Sequence, residues 1–315
     1  MSIRVYAPAT IANLGVGFDL LGAAVVPVDG SCLGDRLKAE RTANGISLTC
    51  SGPWQHKLPQ DPQQNIVYQC AGHFLQHLGA AGSAGVSLEL EKNLPVGSGL
   101  GSSACSVVAA FYALNQLFER PFDNDRLMLM MGEFEGKVSG SIHYDNVAPC
   151  FLGGLQLMLQ SKKSFCVSLP FFCDWFWVVA YPGISLSTAK MRALLPQSYS
   201  RADLINYGRL LSGFIHASHT DDAELAASLL QDVVAEPYRS PHIPGYDRAK
   251  KALAELGVLA SGISGSGPTM FAVSNSRETA DLAAEWLANH YLCEPGGFVK
   301  VCRISETGTQ CISHR

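Results

Sequence analysis

Leu94 to Ala104 reads LPVGSGLGSSA, with glycine at every second position from Gly97 to Gly101 and a pair of serines after it. The run follows the alternating apolar and polar segment Val86 to Leu90 and precedes an apolar, periodic stretch from Val107 to Phe118. A strand, a tight connection and a helix are expected in that order. Glycine lets the backbone bend without a Cβ penalty and gathers bare N–H groups, while Ser102 and Ser103 stand where the helix begins. The unpaired donors and positive dipole end of a helix N-terminus make such a bend a cradle for phosphate. Taken alone, the run is equally an ordinary tight loop. It is neither a Walker A loop, which needs a Lys after the glycines, nor the G-x-G-x-x-G turn of a dinucleotide fold.

With 315 residues, 47% of them apolar, the chain can bury a large core, and its length suggests two domains of about 150 residues each. A formal net charge of −4 leaves no basic footprint, so no nucleic-acid partner is expected. The most apolar window, Phe171 to Ala180, falls far short of the roughly 20 residues that span a bilayer, and no secretory h-region precedes the first strand. No membrane association is expected. The ten cysteines include no CxxC pair, and Cys70, Cys105, Cys150 and Cys302 lie among apolar neighbours. Free, buried thiols in a reducing cytoplasm are the reading.

Strands are predicted over 2–7, 20–28, 35–40 and 45–50, and an amphipathic helix opens at Asn65. Between the first two strands, Thr10 to Asp19 is too interrupted by glycine for helix or strand, and Asn13 and Asp19 read first as turn caps. His73 and His77, like His216 and His219, share a helical face without a third ligand and read as solvated or core-edge residues. Asp123 caps a helix over 124–138 whose methionines fill core. Glu135 lies near its C-terminal end, where a carboxylate opposes the helix dipole and invites a cation. The loop Ser139 to Pro149 then gathers His143, Asp145 and Asn146 among small and apolar residues. These polar groups either satisfy one another or wait for a substrate.

Residues 160–174 read as a crossing between domains, followed by a buried strand over 175–181 and a short helix that presents Lys190 and Arg192. Helices are expected over 201–218, 221–234 and 245–256, with Glu236 to Arg239 extended or turning. A second glycine-serine run, Ser261 to Pro268, precedes a strand over 269–273, a helix over 277–289 and a strand over 299–304. The pattern is α+β, with helices on one face of a sheet. Two Gly-Ser loops and a carboxylate after the first loop's helix fit phosphoryl transfer, which consists largely of positioning and charge neutralisation. The first loop would hold phosphates; Glu135 and a hydroxyl of Ser102 or Ser103 would hold Mg²⁺.

Pro95 to Ala104 resembles the P-x-x-x-G-L-G-S-S-A signature of the GHMP kinases, and the likeness extends from APATIANLGVGFDLLG at the N-terminus to the last strand. Within that superfamily it is similar to the homoserine kinases, which phosphorylate the side-chain hydroxyl of L-homoserine with ATP in threonine biosynthesis. The resemblance implies a two-domain GHMP fold. A ribosomal-protein-S5-domain-2-like nucleotide-binding domain would cover residues 1–160 and a ferredoxin-like α/β plait residues 165–315. It implies ATP and Mg²⁺ as cofactors and a homodimer. By the same likeness Pro95, Val96, Gly97, Ser98, Gly99, Leu100, Gly101, Ser102, Ser103, Ala104 and Cys105 surround the nucleotide, and Ser102 and Glu135 hold the metal. Asn13, Asp19, His143 and Asp145 line the homoserine pocket. Asp19 takes the ammonium, and Arg192 and Arg239 grip the carboxylate through the paired donors of a guanidinium. Asn146 orients the attacking hydroxyl, and no general base is assigned. The second Gly-Ser run is expected to support the first loop rather than bind phosphate. Val at Gly99 is expected to fill the cradle and abolish ATP binding with the fold kept.

Overall fold

Alternation decides the first layer. The structure, a computed structural model, describes residues 2–80, 84–161 and 164–313, with residues 138 and 139 described by backbone alone. The chain runs through β1 (Ser2–Pro8), β2 (Thr10–Ala12), β3 (Leu21–Pro27), β4 (Gly34–Thr42) and β5 (Ile46–Ser51) before α1 (Ile66–His77) and β6 (Gly85–Glu91). In β1, β4 and β6 side chains alternate in burial, with Val5, Leu37, Leu88 and Leu90 inward and, Asp35 apart, the charged residues facing outward. One face of this sheet thus seals against helices. The strand order is β13-β1-β4-β6-β5, antiparallel except for the β5–β6 pair.

Helix α2 (Ser102–Leu117) lies in the first core with Val107, Ala110, Phe111 and Leu114 fully buried, and helices α1 and α3 (Asn124–Ser139) pack against it. Such all-round burial marks a central helix rather than a surface one. The expected caps are present: Asn65 accepts from the Val67 N–H at 2.9 Å and Asp123 from the Arg126 N–H at 2.8 Å. A helix absent from the sequence reading, α4 (Val147–Leu152), turns the end of the expected 139–149 loop back into the core before β7 (Leu155–Met158).

The expected crossing contains a strand, β8 (Cys166–Leu169), paired with β7; Lys162 and Lys163 lie outside the described residues. The chain continues through β9 (Phe176–Tyr181), α5 (Thr188–Ala193), α6 (Arg201–Thr220), α7 (Ala223–Leu229), α8 (Glu236–Arg239) and α9 (Tyr246–Glu255). It ends with β10 (Ala260–Ile263), β11 (Met270–Ser274), α10 (Arg277–His290), β12 (Phe298–Ile304) and β13 (Gln310–Cys311). Of the two alternatives for Glu236 to Arg239 the chain takes the turning one, a single helical turn, whereas α7 stops at Leu229, well short of the expected 234.

The second sheet runs β10-β11-β9-β12-β3-β7-β8, with β2 beside β3, so strands from both halves of the chain share it. As expected, helices pack on one face: α9 and α10 cover it through Tyr246, Ala249, Ala283 and Leu287, while Trp177, Val179, Phe271 and Val273 on the other face join the first core. Continuous burial of β9 is the consequence. Among the described residues all ten cysteines are free thiols, and Cys70, Cys105, Cys150 and Cys302 are buried as expected. No helix among the described residues is long and apolar enough to cross a membrane.

Candidate active site

The glycine run bends as expected, and the left-handed region is used three times: φ is +70° at Gly97, +86° at Gly99 and +66° at Gly101. Gly101 occupies the N-cap of α2 and supplies no side-chain cap. The first N–H groups of this largely buried helix therefore have no side-chain cap and lie at the bend.

Beneath this bend lies an ion pair that the sequence reading did not single out. Lys92, 1% exposed, donates to Asp35 Oδ2 at 2.5 Å, to the Ser102 carbonyl at 2.7 Å and to Ser106 Oγ at 2.8 Å. Asp35 in turn accepts from the N–H groups of Asn93 and Leu94 at 2.9 and 3.1 Å. Each end of the loop is thus tied to one buried charge pair whose hydrogen-bonding groups are satisfied. In sequence, Lys92 and Asp35 look like ordinary charged residues at strand ends, and no local signal joins them.

The second Gly-Ser run locks the loop from behind, as expected. Ser264 Oγ donates to the Gly99 carbonyl at 2.7 Å, and the Thr269 N–H donates to the Ser98 carbonyl at 3.0 Å. A Cβ at Gly99 would lie 2.4 Å from the Ser264 carbonyl oxygen and 2.9 Å from that of Gly267. This corrects the expectation for valine at Gly99: it would strike the supporting loop rather than fill the cradle, and the fold itself would suffer.

Across the bend opens a cleft of about 220 Å³, lined by Val96 to Gly99 and Gly101 to Ser103, by Glu135, His143, Asp145 and Asn146, by Asn13, Phe18 and Asp19, and by Arg192 and Arg239. Every charged or amide residue that the family resemblance assigned to the site therefore meets in one place. Pro95, Leu100, Ala104 and Cys105 do not line it. Cys105 turns into the core, where its thiol donates to the Ala7 carbonyl at 3.0 Å, and its N–H is spent on the Gly101 carbonyl. Phe18, Leu186, Ser187, Thr188, Gly265 and Ser266 complete the lining without having been singled out as site residues.

Glu135, 5% exposed, accepts from Ser103 Oγ at 2.8 Å. The hydroxyl of Ser102 instead donates to the Leu94 carbonyl at 3.1 Å, so the structure sets Ser103 rather than Ser102 against the carboxylate. Burial pushes the Glu135 carboxyl up to about 7, against the opposing pull of His143 and the Ser103 hydrogen bond. His143 Nδ1 and Asp145 Oδ1 are 2.7 Å apart. Burial disfavours the imidazolium, but Asp145, together with Glu135 and Asp19, lifts its pKa to about 9. His143 is therefore a cation at neutral pH, and its Nε2 has no partner among the described residues.

On the facing wall, Arg192 binds Asp19 bidentately at 2.8 and 2.7 Å. Asp19 is thus no local turn cap. Asn13 is one in part, its Oδ1 accepting from the Asp19 N–H at 3.1 Å while its Nδ2 reaches the Gly265 carbonyl at 3.2 Å. Arg239 is 3% exposed and donates to the Gly265 carbonyl at 2.8 Å, with no carboxylate at ion-pair distance among the described residues. Both guanidinium groups stand over the Phe18 ring, 5.6 and 5.3 Å from its centre. A buried guanidinium lacking a counter-charge is a receptor for an anion.

No group of three or more metal-ligating side chains occurs among the described residues; the rings of His73 and His77 lie 4.1 Å apart, tilted by 50°, and His73 Nε2 is 3.5 Å from Glu133. Glu135 and Ser103 nonetheless fit Mg²⁺. Both present hard oxygen to the cleft, and Mg²⁺ takes one or two protein ligands beside phosphate and water.

Residues 65–154 match the GHMP kinases N terminal domain and residues 214–292 match GHMP kinases C terminal. Among solved structures, a homoserine kinase from Cytophaga hutchinsonii is 34% identical, with a TM-score of 0.89 over 99% of this chain and 97% of that one. A mevalonate kinase from L. major in complex with R-mevalonate superposes with a TM-score of 0.70 at 18% identity, over 96% of each chain. The Methanococcus jannaschii mevalonate kinase gives 0.71 at 12% identity, over 96% of this chain and 98% of that one.

Proposed function

This chain belongs to the GHMP kinases, a family of phosphotransferases with a two-domain fold of mixed helix and strand, and within it we propose a homoserine kinase. The reaction is transfer of the γ-phosphoryl group of ATP to the side-chain hydroxyl of L-homoserine, giving O-phospho-L-homoserine and ADP for threonine biosynthesis in the cytoplasm.

The observation that carries this reading is Arg239, a buried guanidinium with no carboxylate at ion-pair distance among the described residues, beside the Asp19–Arg192 pair in the same cleft. Together they offer two anion-binding forks and one carboxylate. A zwitterionic amino acid satisfies all three: its carboxylate takes Arg239 and Arg192, and its ammonium takes Asp19. A hydroxy acid or a sugar would leave Asp19 without an ammonium to bind.

The phosphates lie on the N–H groups of the bend and the open start of α2. Glu135 and Ser103 would hold Mg²⁺, which would neutralise phosphate charge there, and Ser102 lines the cradle. The imidazolium of His143 donates from Nε2 toward the anionic cleft. Asn146 holds the substrate hydroxyl facing the γ-phosphorus. As the new O–P bond forms, the bond from the γ-phosphorus to the β–γ bridging oxygen breaks and its electron pair leaves with ADP. The hydroxyl proton passes to an oxygen of the transferred group, which a loose transition state permits without a strong base.

ADP release measured with homoserine, mevalonate, serine and galactose tests the assignment. Homoserine is expected to give kcat/KM at least about 100-fold above the others, since a charged group left unpaired in a buried site is strongly rejected. Equal or better turnover of mevalonate would sink the proposal.

A further inference from the structure

We propose that Thr10 is a positioning residue for phosphoryl transfer, fixing the carboxamide of Asn146 so that its NH₂ group faces the cleft; the inference rests on the role given to Asn146 above. Thr10 stands in β2 and is 1% exposed. Its backbone N–H donates to the Leu100 carbonyl at 3.2 Å, which ties it to the phosphate bend. Its hydroxyl donates to Asn146 Oδ1 at 2.7 Å, across 136 residues of sequence.

Both partners press on the start of α2. A Cβ at Gly101 would lie 2.1 Å from Thr10 Oγ1 and 2.7 Å from Asn146 Oδ1. The absence of a side chain at Gly101 is thus what lets the pair sit against the bend. Asn146 precedes α4 but makes no side-chain cap hydrogen bond there, so helix capping does not explain its carboxamide. Thr10 Oγ1 has no other acceptor among the described residues.

A carboxamide has one acceptor and two donors, and a hydroxyl proton fixed on Oδ1 decides which end the ligand meets. With Oδ1 turned toward Thr10, Asn146 offers N–H to the cleft. An N–H can hold one lone pair of the substrate oxygen, leaving the second lone pair to attack and the O–H free to point at the phosphoryl oxygens. In this arrangement Asn146 orients the nucleophile and takes no proton from it. Thr10 itself does not line the cleft.

Three variants and one spectrum test the inference. Thr10→Val preserves shape and removes the proton; kcat with homoserine is expected to fall roughly 10- to 100-fold, the range a misplaced reacting group commands, with both KM values within about twofold. Thr10→Ser restores the hydroxyl and is expected to recover kcat to within about threefold of the parent. In an Asn146→Ala background, Thr10→Val is expected to change kcat by less than about twofold, because its route of action is already gone. Wild-type kcat in Thr10→Val, or the same loss in both backgrounds, would overturn the proposal. So would a Thr10→Ser variant as slow as the valine.

The side-chain amide resonances of Asn146 give a readout that needs no turnover. They are expected to be distinct and slow to exchange in the parent and in Thr10→Ser, and averaged or shifted in Thr10→Val. Unchanged amide resonances in Thr10→Val would contradict the pinning directly. If the parent fails to phosphorylate homoserine, the functional reading falls, while these resonances still decide whether Thr10 holds the carboxamide.

Discussion

The two walls of the cleft are built on opposite principles. On the phosphate side, the bend from Gly97 to Ser103 is held by contacts internal to the protein: the buried Lys92–Asp35 pair below, and Ser264 and Thr269 behind. Among the described residues, N–H groups of the bend and of the start of α2 are left over. On the amino-acid side, the charges hold each other across the cleft. Asp19 and Arg192 form an ion pair with side chains about a third exposed, and a ligand must exchange into it. The first wall is preorganised and its parts belong to the folding free energy; the second is provisional and its parts belong to binding.

The contrast can be broken by mutation. Lys92→Ala leaves Asp35 buried and uncompensated and is expected to cost about 3–5 kcal/mol in chemical denaturation. A loss below about 1 kcal/mol would mean that the phosphate wall does not depend on this pair. Gly99→Val combines a positive φ with a collision against the second loop and is expected to cost about 3 kcal/mol, read in the same way. A fully stable Gly99→Val protein that merely fails to bind ATP would restore the reading in which valine fills the cradle.

Glu135 stands between the walls, and its effect is expected in turnover. Glu135→Ala should lower kcat about 100-fold or more and flatten the Mg²⁺ dependence. In the parent, Glu135 must be ionised to hold the cation, so kcat/KM for the nucleotide falls as pH drops through about 7. His143 must stay protonated to donate, so it falls again as pH rises through about 9. Loss of the acid limb in Glu135→Ala, with the basic limb moved to lower pH because Glu135 also helps to raise His143, is the expected signature.

On the provisional wall, Arg239→Ala is expected to raise KM for homoserine roughly 30-fold or more with KM for ATP nearly unchanged. Equal shifts in both would remove Arg239 from the carboxylate site. The smallest effect is on stability. Arg192→Ala breaks a half-exposed pair and should cost less than about 1 kcal/mol in folding, although it weakens homoserine binding. A folding loss as large as that of Lys92→Ala would erase the distinction between the walls.

The phosphate bend was legible because it is local. Glycines at every second position, a preceding alternation and a following helical period all lie within one short stretch, and Gly97, Gly99 and Gly101 adopt the left-handed backbone that such spacing favours. The polar residues Asn13, Asp19, Glu135, His143, Asp145, Asn146, Arg192 and Arg239 were legible as a set through family resemblance, and the fold brings all of them to one cleft. The partners that hold them were not. Lys92 meets Asp35 across 57 residues and Thr10 meets Asn146 across 136, and neither pairing leaves a period or a motif. Ser102 and Ser103 are adjacent, and only the turn of the helix decides which hydroxyl meets Glu135. Burial of β9 on both faces was signalled by its unbroken apolar run, yet the core that its second face joins draws on residues from both halves of the chain.

The central claim is that a zwitterion enters by replacing Arg192 on Asp19, opposite phosphates seated on the glycine bend. A crystal structure with a non-hydrolysable ATP analogue, Mg²⁺ and L-homoserine tests it directly. The account predicts phosphate oxygens about 3 Å from the N–H groups between Gly97 and Ser103, the ammonium on Asp19, the carboxylate on Arg192 and Arg239, and the Asp19–Arg192 pair opened. Phosphates bound elsewhere, or an amino acid bound with the pair still closed, would contradict it.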